Sequence, residues 1–318
     1  MTTWLLTGGA GYIGAHVLRS LQASGRDVVV LDDLSTGLAR KVPDDVPLFR
    51  VNIGDTDSVA DALRDHDVTG VVHLAAKKAV GESVERPEYY YRENVDGMLS
   101  LLEAMAVADT RCLVYSSSAA VYGTPSAEFV DENAALVPES PYGQTKVIGE
   151  WMTRNAAVNR DLSWISLRYF NVAGAASPEL GDTSVFNLIP MVFRALSQGD
   201  RPQVFGADYP TPDGSCIRDY IHVADLADAH VAAAAACESE SVGEVYNVGR
   251  GQGVSVFEVM TVISEVIGRD VGAQVGPRRP GDPAQLVATV DKIRATLGWQ
   301  ATYDLPQMVS SAWQAWNA

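Results

Sequence analysis

The most chemically suggestive residues of the sequence are a serine, a tyrosine and a lysine. Tyr142 and Lys146 are four residues apart, just after Ser140 and Pro141, which are typical of a helix start, so both would share one helix face. A phenol has a pKa near 10, and Tyr142 acts as a base near pH 7 only if that pKa falls by about 3 units, or ~4 kcal/mol. A neighbouring ammonium and a helix N-terminus both lower it. Because Ser118 could share the proton with a substrate oxygen, the three residues predict proton transfer at a hydroxyl group.

A glycine-rich segment near the start of the chain predicts a nucleotide site. Gly8, Gly11 and Gly14 recur every three residues between the first predicted strand and the first predicted helix. Glycine there permits a tight turn and close approach of the backbone to a pyrophosphate, whose charge the helix N-terminus would receive. Asp32, at the end of the second predicted strand, could bond both ribose hydroxyls and would repel a 2′-phosphate. The pattern therefore predicts a dinucleotide site that favours NAD over NADP.

The elements that would position these residues alternate between strands and helices in the first half of the chain. Short apolar runs predict strands, and apolar residues at helical spacing predict helices. The predicted strands are Trp4–Thr7, Asp27–Leu31, Leu48–Val51, Gly70–Ala75, Cys112–Ser116 and Ser163–Arg168, and the predicted helices are Tyr12–Ser24, Ser58–Asp65, Tyr90–Val107 and Tyr142–Asn159. Buried-type strands between helices are typical of a parallel sheet covered on both faces. We expect an α/β fold with a doubly wound, Rossmann-type parallel sheet.

The second half of the chain is less regular. Its predicted elements are the helices Val223–Cys237, Ser255–Ile267, Asp291–Leu297 and Asp304–Trp316 and the strand Val245–Val248, after a turn-rich loop over residues 206–214. No low-complexity linker is present, so we expect a smaller C-terminal lobe fused closely to the sheet. We assign residues 1–171, joined by residues 222–250, to the dinucleotide-binding domain and residues 172–318 mainly to a substrate-binding lobe.

Composition and charge exclude several classes of protein and partner. Hydrophobic residues make up 47% of the chain and charged residues 20%, which is globular composition rather than that of a disordered chain. No apolar run approaches the ~20 residues of a membrane span, so no membrane partner is expected. The formal net charge of −16 makes nucleic acid an unfavourable partner. An anionic substrate would have to be met by a local cluster of basic residues.

The cysteines and histidines favour a cytoplasmic protein without a metal site. Cys112, Cys216 and Cys237 are scattered and odd in number, which predicts three reduced thiols. The N-terminal segment has neither a basic leader nor a cleavage signal, so we expect no signal peptide. The five histidines show no metal-ligand spacing. His73 and His222 are interpreted as structural histidines.

Taken together, the motifs resemble the extended short-chain dehydrogenase/reductase family, and within it the 4-epimerases of sugar nucleotides. The resemblance covers essentially the whole chain and is carried by residues 7–14, 78–84, 116–119, 121–123, 168–171, 187–188, 209–214 and 218–223 and by Tyr142 with Lys146. It implies tightly bound NAD and epimerisation at C4 of a UDP-hexose, UDP-glucose or UDP-galactose, through a transient 4-keto intermediate. It also implies a homodimer, formed by the helices predicted around residues 90–107 and 142–159.

The resemblance assigns a role to individual residues of this sequence. The catalytic residues would be Ser118, Tyr142 and Lys146. The residues that would line the NAD site are Gly8, Gly11, Tyr12, Ile13, Gly14, Asp32, Asp33, Leu34, Ser35, Thr36, Gly37, Asn52, Ile53, Leu74, Ala75, Ala76, Lys78, Asn94, Ser116, Tyr142, Lys146 and Phe170. The residues that would hold the UDP-sugar are Lys78, Ser118, Tyr142, Asn171, Asn187, Leu188, Gln203, Val204, Phe205, Arg218, the segment from Arg279 to Asp282, and Leu286. Arg218 and Arg279 would be the local cations that an acidic protein needs to hold a diphosphate.

Several positions depart from the family pattern. Asn52 stands where the family usually has Asp near the adenine, and an amide can still accept a hydrogen bond there. Glu93 precedes Asn94. Of these two residues, we select Asn94 as the one that faces the cofactor. Lys77 replaces an apolar residue beside Lys78. Leu286 stands where bacterial members often have Tyr, which would affect the size of the sugar that fits.

Three other functions remain open. An epimerase for UDP-N-acetylhexosamines or UDP-pentoses would carry the same motifs. A nucleotide-sugar dehydratase or reductase is disfavoured, because a dehydratase needs an acid and a base beside the serine and Ala119 and Ala120 follow Ser118 here. A non-catalytic NAD-sensing protein could lose the tyrosine or the lysine, and this chain keeps both.

Overall fold

The apolar runs of the first half form a seven-stranded sheet in the computed structural model, which describes residues 2–279 and 281–318. In spatial order the strands are Gly243–Val248, Ser163–Tyr169, Cys112–Ser116, Val68–His73, Thr3–Thr7, Asp27–Leu31 and Leu48–Phe49. The neighbours from Ser163–Tyr169 to Leu48–Phe49 all pair in parallel. Strand order reverses beside Thr3–Thr7, so the predicted doubly wound α/β fold is confirmed.

Helices connect these strands and bury their apolar faces against the sheet. The helices of this half are Tyr12–Ala23, Thr56–Asp65, Val80–Glu85, Pro87–Tyr91, Gly97–Val107 and Pro141–Val158, followed later by Val223–Ser239. One core joins alternate strand residues such as Leu5, Val71 and Leu113 to Leu63 and Leu101 of the helices. Successive side chains of a strand point to opposite faces of the sheet, so every second residue of each strand contributes to this core.

The long helix expected over residues 90–107 is interrupted. The structure has a helix over Pro87–Tyr91, a π-helical turn over Arg92–Asp96 and a second helix over Gly97–Val107. A π-helical turn shifts the hydrogen-bond ladder by one residue, and such turns are frequent at functional sites. Asn94 lies inside this turn and is buried. A spacing pattern that assumes 3.6 residues per turn does not reveal such an insertion.

The second half contains short strands that the sequence analysis missed. The strand Ile217–His222 pairs with Gly253–Ser255, Gln285–Ala288 and Asn171–Ala173. The strand Gln285–Ala288 also pairs with Phe129–Val130. A separate pair is formed by Gln203–Phe205 and Gln274–Gly276. The helices are Leu188–Ser197, Val256–Ile267, Asp291–Leu297 and Leu305–Trp316. Strands of two to six residues with mixed polar and apolar side chains give no clear periodicity, which explains the omission.

The chain packs into two compact units. The first comprises residues up to Val121 and residues 138–168 and 227–246, and the second comprises residues 122–137, 169–226 and 247–318. The second unit thus resumes at Tyr169, close to the boundary drawn at residue 171, and it also takes up residues 122–137. Within the described part of the chain, no helix is long and apolar enough to cross a membrane.

Candidate active site

The glycines between the first strand and the first helix form a turn that has no room for side chains. Gly8 has a φ of 72°, and a Cβ atom on it would lie 2.8 Å from the backbone nitrogen of Ala75. A Cβ atom on Gly14 would collide with the carbonyl oxygen of Gly8. The helix Tyr12–Ala23 begins at Gly11 without a side-chain cap. A free helix start and a backbone cradle fit a pyrophosphate, as the glycine spacing predicts.

Asp32 lies beside this turn. Its carboxylate accepts hydrogen bonds from the backbone nitrogens of Ala10, at 3.0 Å, and Leu34, at 2.9 Å. Burial raises the pKa of Asp32, and these two hydrogen bonds oppose that shift. Gly37 packs so close that a Cβ atom there would lie 2.8 Å from Asp32 Oδ1. The carboxylate is therefore fixed at the turn, where it could meet ribose hydroxyls.

The other predicted cofactor residues follow the carboxyl ends of neighbouring strands. They occupy residues 32–37 after the second strand, 52–53 after the third, 74–78 after the fourth and Ser116 at the end of the fifth. Carboxyl ends of parallel strands meet at one edge, and ligands of open α/β sheets bind outside that edge where the strand order reverses. These residues belong to the first unit, whereas Phe170 belongs to the second.

Asn94 and Glu93 have different partners. Lys77 donates its backbone N–H to Asn94 Oδ1 at 2.8 Å, and Asn94 Nδ2 donates to the carbonyl of Lys77 at 3.0 Å and to Thr145 Oγ1 at 3.0 Å. The Glu93 carboxylate lies 3.8 Å from the Lys77 ammonium. Asn94 therefore holds the backbone of the segment 74–78, and a contact of its own with NAD stays a prediction.

Ser118, Tyr142 and Lys146 lie together at the end of the fifth strand. Ser140 caps the helix Pro141–Val158 by accepting from the backbone N–H of Gly143 at 3.1 Å, which places Tyr142 and Lys146 on its first turns. The Tyr142 side chain hydrogen bonds to Ser118. Lys146 Nζ lies 5.9 Å from the centroid of the Tyr142 ring. The structure therefore brings the three predicted catalytic residues together.

The electrostatics of the cluster keep the tyrosine protonated and the lysine weakly basic. Burial raises the pKa of Tyr142, while the hydrogen bond with Ser118 lowers it. Burial lowers the pKa of Lys146 to about 8, and the Glu150 carboxylate opposes that shift. The fall in the pKa of Tyr142 that base catalysis needs is thus not produced by the surrounding protein groups alone.

A buried charge network under the cluster was missed by the sequence analysis. Glu150 accepts from Ser117 Oγ at 2.6 Å and from two nitrogens of Arg168 at 2.8 and 2.6 Å, and the Glu150 and Arg168 side chains are almost fully buried. Glu150 lies four residues after Lys146 on the same helix face, a spacing that could have indicated it. The network holds the strand that ends at Ser116 against the helix that carries Tyr142.

The histidines near the site are structural, as the sequence analysis interpreted His73. The His73 ring lies 2.8 Å from Thr7 Oγ1 and stacks on Tyr115. Burial lowers its pKa to about 3, and the charge of Lys146 contributes. His230 Nε2 lies 2.9 Å from Ser116 Oγ. Both rings contact residues at the ends of strands, which is a structural role.

In the second unit, Arg218 and Asp282 form an ion pair of 2.8 Å. This is not the pairing with Asp219 or Asp225 that a purely structural Arg218 would make. Arg218 is also in register with Leu286 on the neighbouring parallel strand, so the two side chains share one face of this sheet. Predicted binding residues from two distant segments of the chain, one at Arg218 and one spanning Asp282 and Leu286, therefore lie side by side.

The remaining predicted substrate residues surround short strands of the same unit. The Arg279 guanidinium lies 3.8 Å above the ring of Phe205, in the strand Gln203–Phe205 that also contains Val204. Asn187 precedes the helix that begins at Leu188 and donates to Asp182 at 2.7 Å. Asn171 begins the strand Asn171–Ala173. Pro280, inside the segment assigned to UDP, lies outside the described residues.

A cavity of about 550 Å³ in the second unit does not coincide with the predicted site. It is lined by residues around Gly249–Gln252, Ala288–Asp291 and Trp299–Ala301. Its lining among the described residues includes none of the predicted catalytic, cofactor or substrate residues. The chemistry of Ser118, Tyr142 and Lys146 locates the candidate active site better than the size of this cavity does.

The family of the chain follows from comparison with known proteins. A model of the NAD dependent epimerase/dehydratase family matches residues 4–249. The chain belongs to the NAD dependent epimerase/dehydratase family. This confirms the predicted family and NAD as its cofactor.

Individual members of this epimerase/dehydratase family are similar over their full length. A UDP-glucose 4-epimerase of Azospirillum brasilense is 46% identical over 97% of this chain and 90% of the relative. A UDP-glucose-4-epimerase of Stenotrophomonas maltophila, solved with NAD and formylated UDP-arabinopyranose, has 37% identity and a TM-score of 0.96, covering 100% of this chain and 98% of its own. The UDP-Glc/GlcNAc 4-epimerase of Campylobacter jejuni has 35% identity and a TM-score of 0.88, covering 100% of both chains.

Proposed function

We propose that the protein is an NAD-dependent 4-epimerase that interconverts UDP-glucose and UDP-galactose. The observation that carries the proposal is the cluster of Ser118, Tyr142 and Lys146 in the unit that also holds the glycine turn and Asp32. Such a cluster beside a dinucleotide site suits oxidation of a sugar hydroxyl followed by its re-reduction. Relatives named UDP-glucose 4-epimerase, identical at 38–46% of positions, support the same substrate.

The chain's own residues would move and hold the proton. Tyr142 takes the proton of the 4-hydroxyl group and returns it after the sugar has turned over, while Ser118 holds the same oxygen by a hydrogen bond. The glycine turn and Asp32 would hold NAD⁺, which would supply reversible hydride transfer at C4 of the sugar. Lys146, with a pKa of about 8, is charged at neutral pH and adds positive charge close to the phenol.

The second unit would hold the UDP part of the substrate more firmly than the sugar. Arg218 and Arg279 supply positive charge for the diphosphate. The Arg218 side chain is already oriented by Asp282, and the Arg279 guanidinium is stacked on Phe205. The cations thus lie in the segments assigned to the nucleotide. Weak contacts on the sugar suit a reaction in which the 4-keto sugar must rotate before it is reduced.

Two specific observations favour activity on other UDP-sugars as a second candidate. Leu286 is shorter than the tyrosine found in many bacterial members, and it lies in register with Arg218. One structural neighbour is named a UDP-Glc/GlcNAc 4-epimerase, and another was solved with a formylated UDP-arabinopyranose. N-acetylated hexoses or pentoses of UDP would then be accepted in addition to the hexoses.

A homodimer in the cytoplasm completes the proposal. The helices Gly97–Val107 and Pro141–Val158 pack together in the first unit, and Leu99, Val107, Trp151 and Val158 on them are exposed. Large apolar side chains on neighbouring exposed helices favour a second copy as partner. Cys112, Cys216 and Cys237 are free thiols, as in proteins of a reducing compartment.

The deciding experiment is incubation of the purified protein with single UDP-sugars and no added NAD. Chromatography would resolve the products from UDP-glucose, UDP-galactose, their N-acetyl counterparts and UDP-pentoses. Formation of the C4 epimer without consumption of NAD is expected for the hexose pair. Stoichiometric reduction of NAD or loss of water from the sugar would overturn the proposal in favour of a dehydrogenase or a dehydratase.

A further inference from the structure

A lysine that the family pattern does not contain joins two loops at the edge of the cofactor site. Lys77 lies in the segment 74–78, after the strand Val68–His73, and its ammonium donates to Ser35 Oγ at 2.8 Å. Ser35 lies in the segment 32–37, after the strand Asp27–Leu31. These two strands flank Thr3–Thr7, which ends at the glycine turn. The contact therefore connects the two loops on either side of the predicted pyrophosphate cradle.

Both ends of the connection are anchored. Asn94 fixes the backbone of Lys77 from both sides, through hydrogen bonds of 2.8 and 3.0 Å. The Glu93 carboxylate lies 3.8 Å from the Lys77 ammonium, and both side chains are mostly shielded from solvent. On the other loop, Asp33 accepts the backbone N–H of Ser35 at 2.8 Å and an N–H of Asn52 at 3.0 Å. Glu93, Lys77, Ser35 and Asp33 thus form a continuous polar chain, here called the Lys77 latch.

The charge balance explains why a cation is needed at this point. Asp32 and Asp33 lie in the segment 32–37, where a dinucleotide with two phosphate charges would bind, and Glu93 lies beside Lys77. Burial pushes the pKa of Asp33 up, but hydrogen bonds from Ser35 and the charge of Lys77 bring it below its usual value. Lys77 also lowers the pKa of Asp32, against the dominant effect of burial. Lys77 therefore offsets part of the negative charge of Asp32, Asp33 and Glu93 at this edge of the cofactor site.

We propose that the Lys77 latch closes the two loops across bound NAD and slows its release. The proposal rests on the proposed function, in which NAD stays bound from one catalytic cycle to the next. A C4 epimerase regenerates NAD⁺ in each cycle and gains nothing from releasing it. A contact between loops acts mainly on the dissociation rate, because it must open before the ligand leaves. Lys77 is therefore a positioning residue, and Glu93 is the residue that holds it in place.

The test measures the release of labelled NAD rather than turnover. Wild-type protein and variants are loaded with radiolabelled NAD, diluted into excess unlabelled NAD and filtered at intervals. Lys77→Met should release NAD about tenfold faster, since it loses a charged hydrogen bond, and Glu93→Gln about threefold faster. Lys77→Arg should restore slow release. The double variant should resemble Lys77→Met, because both changes break the same connection.

Glu93→Gln separates a latch from a simple effect of charge. If Lys77 acted only by attracting phosphate, loss of the Glu93 charge would slow NAD release, and that result would overturn the latch. Unchanged release from Lys77→Met would overturn it as well. Arg64→Met and Asp61→Asn, which break an exposed ion pair on the helix Thr56–Asp65, are matched controls and should not alter release. Failure of the wild-type protein to bind NAD would instead overturn the proposed function together with the latch.

Discussion

Lys146 Nζ donates a hydrogen bond of 2.8 Å to the carbonyl oxygen of Ser116. The ammonium is thereby tied to the end of the fifth strand and lies 5.9 Å from the ring centroid of Tyr142. At this distance we expect the lysine to influence the phenol through space rather than by a direct hydrogen bond. The lysine lies at the strand end, where the predicted cofactor residues also meet. This position makes one cation available to both Tyr142 and the cofactor.

Lys146→Met should reduce both turnover and the affinity for NAD. The variant removes the positive charge near Tyr142 and a donor at the cofactor edge of the sheet. We expect turnover to fall by about 10²-fold or more, the lower range for loss of a proton-transfer contribution. Calorimetry with NAD and initial rates with UDP-galactose would measure the two effects. A loss of turnover with unchanged NAD affinity would show that Lys146 does not contribute to cofactor binding.

Tyr142→Phe should fold and bind both NAD and UDP-sugar but lose most turnover. The ring stays in place and only the hydroxyl that hydrogen bonds to Ser118 disappears. General base steps contribute about 10²- to 10⁴-fold to a rate. Initial rates on UDP-galactose, with binding measured in parallel, would test this. Retention of more than about a tenth of wild-type turnover would exclude Tyr142 as the base.

Asp32 should exclude NADP. Its carboxylate is buried and fixed by Ala10 and Leu34, so it has little freedom to turn away from a 2′-phosphate. Like-charge contact in a poorly solvated site costs several kcal/mol, so we expect NAD to bind at least about 100-fold more tightly. Calorimetry on cofactor-free protein would measure the ratio of the affinities for NAD and NADP, and Asp32→Asn should reduce this ratio. Equal affinity of the wild-type protein for both dinucleotides would contradict the assignment.

Leu286→Tyr should suppress activity on UDP-N-acetylhexosamines and spare the UDP-hexoses. Leu286 lies in register with Arg218 and is nearly buried, so a larger ring there would take up space beside the substrate cation. Overpacking typically costs ~1–3 kcal/mol, which corresponds to about tenfold or more on the larger sugar. Kinetics on both pairs of epimers would decide. Equal losses on both would mean that Leu286 only packs the core.

His73 should make the protein less stable as the pH falls below about 6.5. Its pKa is lowered to about 3 in the folded protein, so between those values the unfolded chain binds a proton that the folded protein does not. Stability therefore rises with pH across this window and is lost on acidification. From pH 7 to 5, wild-type protein should lose about 2 kcal/mol more unfolding free energy than His73→Asn. Denaturant titrations at the two pH values measure this, and equal losses would contradict the shift.

The sequence by itself determined the features that depend on neighbouring residues. The glycine spacing at residues 8–14 predicted a tight turn between the first strand and the first helix, where a Cβ atom on Gly8 or Gly14 would not fit. The spacing of four between Tyr142 and Lys146 placed both on one helix face, and the apolar runs of the first half identified the parallel sheet. The motifs also identified the family, which the match over residues 4–249 confirms.

The tertiary structure alone decided the pairings between distant segments. The ion pair of Arg218 with Asp282, the contact of Lys77 with Ser35 and the buried pair of Glu150 with Arg168 each join residues far apart in the sequence. The π-helical turn around Asn94 and the short strands of the second unit were likewise not visible beforehand. The physical reason is that local patterns fix backbone geometry over a few residues. Partners of charged side chains and the ends of short strands depend on which segments the fold brings together.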